Sequence, residues 1–286
     1  MKILVTGEKG QLGSELKKSS HKNNNFEWMF TDRKSFNISD LKNINVYLNK
    51  CNPNIIINCA AYTDVDKAED DFEIANIINH KAVGLIAKWC SDNNCKLIHI
   101  STDYVYNSNS IIPYTEEDQT DPLNNYGKTK LLGEIACQKY NNSSIIIRTS
   151  WLYNSFGNNF LTKMINVMHN SDEIEVVNDQ FGSPTYACDL SNVILYIIRN
   201  NKWKPGIYNY TNRGNISWYH FANEIKSIYG FSTIIKSVTS KEYFQKAKRP
   251  KFSVLDNSKI INTFNIKQMD YLDSLKKSIK TLKNES

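Results

Sequence analysis

Short runs of branched and aromatic residues alternate with amphipathic stretches through the first half of the chain. Residues 2–6, 26–31, 55–58, 97–101 and 145–149 have strand length and are apolar almost throughout, the pattern of parallel strands buried on both faces. Between them the period becomes helical, over 11–19, 40–50, 68–93 and 124–140, with Ser39 or Asp40 capping the second. Strand and helix in repetition predict an α/β fold with a doubly wound parallel sheet, Rossmann-like in its winding. Polar stretches at 21–25 and 107–110 read as surface loops, and no internal repeat is visible.

After about residue 150 the alternation loosens. Helices are expected over 160–170 and 186–200, strands at 174–177 and 206–210, a capped helix from Ser217, and a last helix near 274–283. These segments suggest a smaller C-terminal lobe. Ligands of an open α/β sheet lie beyond the carboxyl ends of its strands, so such a lobe would close over that edge and select the substrate.

Composition narrows the classes. No apolar run approaches the roughly 20 residues of a membrane span, and the first strand is too short for a signal-peptide core; a cytoplasmic protein without membrane contact is expected. Six cysteines form no Cys-x-x-Cys pair and no cluster with the five histidines, which points to free thiols and no metal site. The net charge of +6 comes from lysines scattered among asparagines. It suits an anionic small molecule better than nucleic acid.

The first strand runs into Thr6-Gly7-Glu8-Lys9-Gly10-Gln11-Leu12-Gly13. Gly7 can turn the chain, Gly10 can let the backbone approach a pyrophosphate, Gly13 can let helix and strand pack closely, and the helix N-terminus attracts the anion. Asp32 ends the second strand, where a carboxylate can hold an adenosine ribose, or act simply as a turn residue. Arg33 beside it tolerates a 2′-phosphate, so NADH and NADPH both stay open.

Tyr126 and Lys130 lie four apart on a predicted helix and share a face. An ammonium about 4 Å from the phenol, at an effective dielectric near 20, is worth roughly 4 kcal/mol toward its ionisation before desolvation opposes it. Thr102, at the end of the fourth strand, would bring a hydroxyl to the same place. Three groups then converge on one carbonyl oxygen. Among 16 tyrosines this is the one Tyr-x-x-x-Lys spacing, a number chance alone could give. The order of glycine loop, acidic strand end, Ser-Thr strand end and Tyr-Lys helix raises its weight.

With these motifs the chain resembles the short-chain dehydrogenase/reductases of the extended type and, within them, the dTDP-4-dehydrorhamnose reductase family. The matching segments run nearly end to end: 6–13, 58–69, 101–106, 122–130, 148–153, 157–160, 179–185 and Arg249-Pro250. The resemblance implies NAD(P)H-dependent reduction of the C4 ketone of a dTDP-4-dehydro-deoxysugar. Tyr126 would be the proton donor, Lys130 its electrostatic and ribose partner, and Thr102 would tune the carbonyl. Gly7, Gly10, Gln11, Leu12, Asp32, Arg33, Ala61, Tyr62, Thr63, Tyr126 and Lys130 would line the cofactor. Thr102, Asp103, Tyr126, Trp151 and Arg249 would touch the sugar nucleotide. Residues 1–150 would form the cofactor-binding domain, with part of 178–203 packing back onto it, and 151–286 mainly the sugar-nucleotide lobe.

Other readings stay open at this level. Trp151 can be core, Asp103 can cap a turn, Arg249 can be a surface ion-pair residue, and the acidic run from Asp64 to Asp71 can be a helix start facing its dipole. Some family members form a magnesium-bridged dimer through glutamates. Glu15 matches one of them, its partners cannot be placed, and monomer and homodimer are both compatible. Other nucleotide-sugar 4-reductases, epimerases and non-catalytic regulatory homologues share the fold. Related dehydratases carry Asp-Glu after the threonine, whereas here Asp103 is followed by Tyr104, and Tyr106 stands where many members have phenylalanine.

Overall fold

The computed structural model describes residues 1–21 and 25–285; part of the loop expected at 21–25 therefore lies outside the described residues. The first half runs β1 (Lys2–Thr6), α1 (Gln11–Ser20), β2 (Glu27–Thr31), α2 (Leu41–Cys51), β3 (Ile55–Asn58), α3 (Phe72–Asn76), α4 (Ala82–Asp92), β4 (Lys96–Thr102), α5 (Asn125–Tyr140) and β5 (Ile145–Thr149). The second half begins with β6 (Leu152–Tyr153), α6 (Phe160–Asn170), β7 (Glu173–Val177), β8 (Phe181–Gly182), β9 (Thr185–Tyr186) and α7 (Ala187–Arg199). It continues with β10 (Gly206–Asn209), β11 (Ile216–Ser217), α8 (Trp218–Tyr229), β12 (Ile234–Val238), α9 (Ser258–Phe264) and α10 (Tyr271–Glu285).

Six strands form one parallel sheet in the order β2-β1-β3-β4-β5-β10. The branched runs alternate between its faces, as the strand period requires. Ile3 and Val5 of β1 and Ile55 and Ile57 of β3 meet α1, α7 and α9 on one side; Leu4 and Ile56 meet α2 and α4 on the other. Each such side chain, fully removed from water, contributes about 1.5–3 kcal/mol. The chain winds in both directions from β1, so a crevice opens between the ends of β1 and β3.

The strand expected at 206–210 belongs to this sheet and not to the smaller lobe. The outer edge of β5 needs hydrogen-bonding partners, and β10 supplies them in parallel register, Ile207 against Ile146 and Tyr208 against Ile147. The smaller lobe has its own core of Leu161, Met164, Ile165, Phe221, Ile225, Leu275 and Ile279, from α6, α8 and α10. The parallel pair β7–β12 lies beside it.

The single helix expected over 68–93 is broken into a 3-10 turn at Lys67–Glu69, α3, a π turn at Ile77–Lys81, and α4. Tertiary bonds to Asn79, inside the π turn, override the helical period. Among the described residues no helix is long and apolar enough to cross a membrane. All six cysteines are free, four of them buried.

Candidate active site

The glycine turn sits at the crevice. Gly7 adopts φ +71°, and a Cβ there would come within 2.9 Å of the Ala60 backbone after β3, so a side chain would close the approach between the two strand ends. A Cβ on Gly13 would fall 2.2 Å from the Gly7 carbonyl, which explains the close packing of α1 on the turn. Gly10 is the N-cap of α1 and carries no side chain to satisfy the first amides of the helix. Leu12 is buried in the core, and its side chain packs there. Gln11 binds the smaller lobe: Nε2 donates to the Asn158 carbonyl at 3.2 Å, and Oε1 accepts from Asn159 Nδ2 at 3.2 Å.

Asp32 is a turn residue and an ion-pair partner together. Its Oδ1 accepts from the backbone of Lys34 and Ser35 and from Ser35 Oγ, each at 3.0 Å, and Oδ2 pairs with Lys9 of the glycine turn. Hydrogen bonds from Lys9 and Ser35 hold this carboxyl well below the usual range. Exposed Arg33 stands next to it.

The segment 61–63, expected to line the cofactor, is clipped from behind. Asn79, 1% exposed, accepts from the Tyr62 amide at 2.8 Å, donates to the Tyr62 carbonyl at 3.0 Å, and donates to Thr129 Oγ1 at 3.1 Å. Ala61 and exposed Thr63 flank that clip, and the Tyr62 hydroxyl donates to Asp71 at 2.7 Å. The acidic run is not one dipole-facing helix start. Asp64 accepts the Lys67 amide, Glu69 accepts the Asn125 amide at the start of α5, Asp70 pairs with Lys246, and Asp66 accepts from the Ala247 amide and Arg249 Nη2. Arg249 is thus a half-buried ion-pair partner of Asp66, its buried Nη1 without a hydrogen-bond partner.

Thr102 ends β4, where its hydroxyl accepts from the Tyr104 amide at 3.2 Å and donates to Asp103 Oδ1 at 3.1 Å. Asn124 caps α5 through the Gly127 amide at 2.8 Å, placing Tyr126 in the first turn. The Tyr126 ring meets Tyr104 edge to face at 5.7 Å. Burial pushes the Tyr126 phenol up to about 12, against a hydrogen bond from Thr102 that acts the other way. The depression expected from Lys130 is not found: desolvation sets the direction, and the phenol is protonated at neutral pH. Lys130 is 1% exposed; its Nζ donates to the Ile100 carbonyl at 2.6 Å, and burial lowers its pKa to about 8 against the attraction of Glu134. Asp103, also buried, is raised to about 7 by desolvation, and its Oδ2 has no partner.

Trp151 takes φ +45°, rare for a bulky residue, and stacks on Trp218 with centroids 3.5 Å apart. Gly182 makes room: a Cβ there would sit 2.5 Å from the Trp151 ring. Glu15 is buried and accepts from Asn154 Nδ2 at 3.1 Å. No cluster of three or more metal-binding side chains occurs among the described residues. Asn79, Trp218 and the Glu134–Arg148 pair are the neighbours that sequence reasoning passed over.

A hydroxyl, a protonated phenol and a buried amine gathered at the carboxyl edge of a parallel sheet, next to a glycine turn, mark a short-chain dehydrogenase/reductase of the extended type. Within that class the chain belongs to the dTDP-4-dehydrorhamnose reductase family: residues 1–284 match the family model described as RmlD substrate binding domain. It is 39% identical to the spore coat polysaccharide biosynthesis protein SpsK of Bacillus subtilis, covering 91% of this chain and 90% of that one. It is 35% identical to the dTDP-4-dehydrorhamnose reductase of Escherichia coli K12, over 99% and 98%. Among solved structures, a dTDP-4-dehydrorhamnose reductase from Clostridium acetobutylicum superposes with TM-score 0.94 at 39% identity, covering 99% and 100%. The Bacillus anthracis enzyme in complex with NADP does so with TM-score 0.93 at 32% identity, covering 98% and 99%.

Proposed function

We propose that this protein reduces the C4 ketone of dTDP-4-dehydro-L-rhamnose to dTDP-L-rhamnose with NADPH or NADH, the last step in making that sugar nucleotide for surface polysaccharide. The observation that carries the reading is the placement of Thr102 and protonated Tyr126 at one edge with Lys130 behind them, in a chain that matches such reductases along its length.

The crevice fits a dinucleotide. Gly7 leaves space that a Cβ would fill, and the uncapped start of α1 suits a pyrophosphate. Ala61, Tyr62 and Thr63 form the opposite wall, with Asp32, Arg33 and Lys9 at the ribose end. When bound, the reduced nicotinamide supplies the hydride. Thr102 and Tyr126 hold the ketone oxygen by hydrogen bonds, and as charge grows there Tyr126 gives it the phenolic proton. A phenol near 12 remains a stronger acid than the alcohol formed when the alkoxide takes its proton, so this transfer runs downhill. Lys130 supplies positive charge beneath the phenolate that results. Asp103 and Trp151 orient the sugar, and Arg249 offers its free Nη1 to the diphosphate, a geometry that suits guanidinium. No magnesium step is assigned.

The test is loss of nicotinamide absorbance on adding the 4-keto sugar nucleotide. Steady oxidation is expected. No oxidation by the intact protein, or full activity in Tyr126→Phe, would overturn the mechanism.

A further inference from the structure

Behind the reaction centre lies a buried ion pair that the chemistry above does not use. The side chains of Glu134 and Arg148 are 1% and 3% exposed, joined by Arg148 Nη2 to Glu134 Oε2 at 2.7 Å and Nε to Oε1 at 3.0 Å. Ser101 Oγ also donates to Glu134 Oε1. Arg148 Nη1 donates to Tyr106 Oη at 2.7 Å, and that hydroxyl donates to the Thr115 carbonyl at 2.8 Å. The network touches α5 one turn beyond Lys130, β4 one residue before Thr102, and β5 three residues before Trp151. A buried pair stabilises a fold little better than apolar side chains of the same size, so its position beside the site calls for another reason.

We propose that Glu134, held by Arg148, is a positioning residue: it supplies the buried counter-charge of Lys130 and fixes the Ser101–Thr102 end of β4 against α5. Residues four apart on a helix share a face, which puts Glu134 next to Lys130. The titratable groups interacting with Lys130 from the packed elements are Cys59 after β3, His99 of β4, and Glu134 and Cys137 of α5. Burial raises the thiols of Cys59 and Cys137 to about 12 and about 11, and it holds His99 well below its ordinary range. All three are neutral at pH 7, so the negative charge facing Lys130 is that of Glu134. Tyr106 secures the far side of Arg148. The inference rests on the proposed role of Lys130 as an ammonium.

The test is the pH profile of kcat/KM, with the 4-keto sugar nucleotide and NADPH, for wild type, Glu134→Gln, Glu134→Asp and Tyr106→Phe. Wild type is expected to lose activity above about pH 8. In Glu134→Gln that alkaline limb moves down by about one pH unit, a loss of about fivefold at pH 8 that approaches tenfold at higher pH and narrows toward pH 6. Glu134→Asp keeps the charge and the limb. Tyr106→Phe leaves the limb in place and lowers Tm. If Glu134→Gln does not fold, Glu134→Gln/Arg148→Met removes both charges together, and its limb must still move down. A uniform slowing with an unmoved limb in the variant that folds overturns the proposal and leaves Lys130's role intact. A wild-type profile without an alkaline limb overturns the role of Lys130 itself.

Discussion

The ammonium nitrogen of Lys130 lies 2.6 Å from the carbonyl oxygen of Ile100, on the strand that ends in Thr102. That bond anchors α5 to β4 and, in the proposed mechanism, holds the positive charge that assists Tyr126. Lys130→Met should therefore lower kcat/KM by about 10²–10⁴-fold, the usual contribution of a group assisting proton transfer. Because Lys130 titrates at about 8, wild-type activity should fall as pH rises through that value. Initial rates from pH 6 to 10 check both expectations; a flat alkaline side would contradict them.

Lys9 and Asp32 form an ion pair across the glycine turn, so the carboxylate that would favour a ribose hydroxyl is neutralised, with Arg33 beside it. In Lys9→Ala the carboxylate is released toward the ribose. The ratio of kcat/KM for NADPH to that for NADH should drop severalfold, as expected for losing one solvent-screened charge contact. Parallel titrations with the two cofactors give the ratio, and an unchanged value would show that Lys9 plays no part in the choice.

Asn79 makes three hydrogen bonds, two to the Tyr62 backbone and one to Thr129. Replacement by alanine leaves these groups unmatched, and Asn79→Ala should lose about 2–3 kcal/mol of stability. It should also raise the KM for cofactor more than it lowers kcat, since the loop it clips carries Ala61 and Thr63. Urea unfolding and cofactor titration separate the two effects.

The parts of this fold legible in the sequence are those set by local chemistry. Ile55–Asn58 can only be a strand buried on both faces, and Gly7 stands where a β-carbon would meet the Ala60 backbone. Thr102 ends β4, and Tyr126 and Lys130 follow on α5, as the order of segments suggested. What could not be read depends on partners distant in the chain. The π turn at Asn79 exists because Tyr62 and Thr129 wait on other elements, and Asp66 finds Arg249 across 183 residues. Two overlooked signals were present. Arg148 interrupts the apolar run 145–149, and a charge in a buried strand requires a partner; Glu134, four residues after Lys130, was the available carboxylate.

Asp103 yields a stability prediction whose sign runs opposite to that of a salt-bridged carboxylate. Burial raises its pKa from 3.8 to about 7 in the folded protein, so between those values the native state holds a proton that the unfolded chain has released. Stability must then fall as pH rises through this window, by up to about 4 kcal/mol if nothing relaxes. Asp103→Asn removes the titration and retains the shape. It should raise Tm at pH 8 and leave it nearly unchanged at pH 4, where the native aspartic acid is already neutral, while weakening sugar-nucleotide binding. Stability gained by removing a desolvated carboxyl from a proposed binding site, at the expense of function, is the expected trade. Thermal unfolding of both proteins at the two pH values decides it: an equal Tm difference at pH 4 and pH 8 would mean that the Asp103 carboxylate carries its charge without penalty.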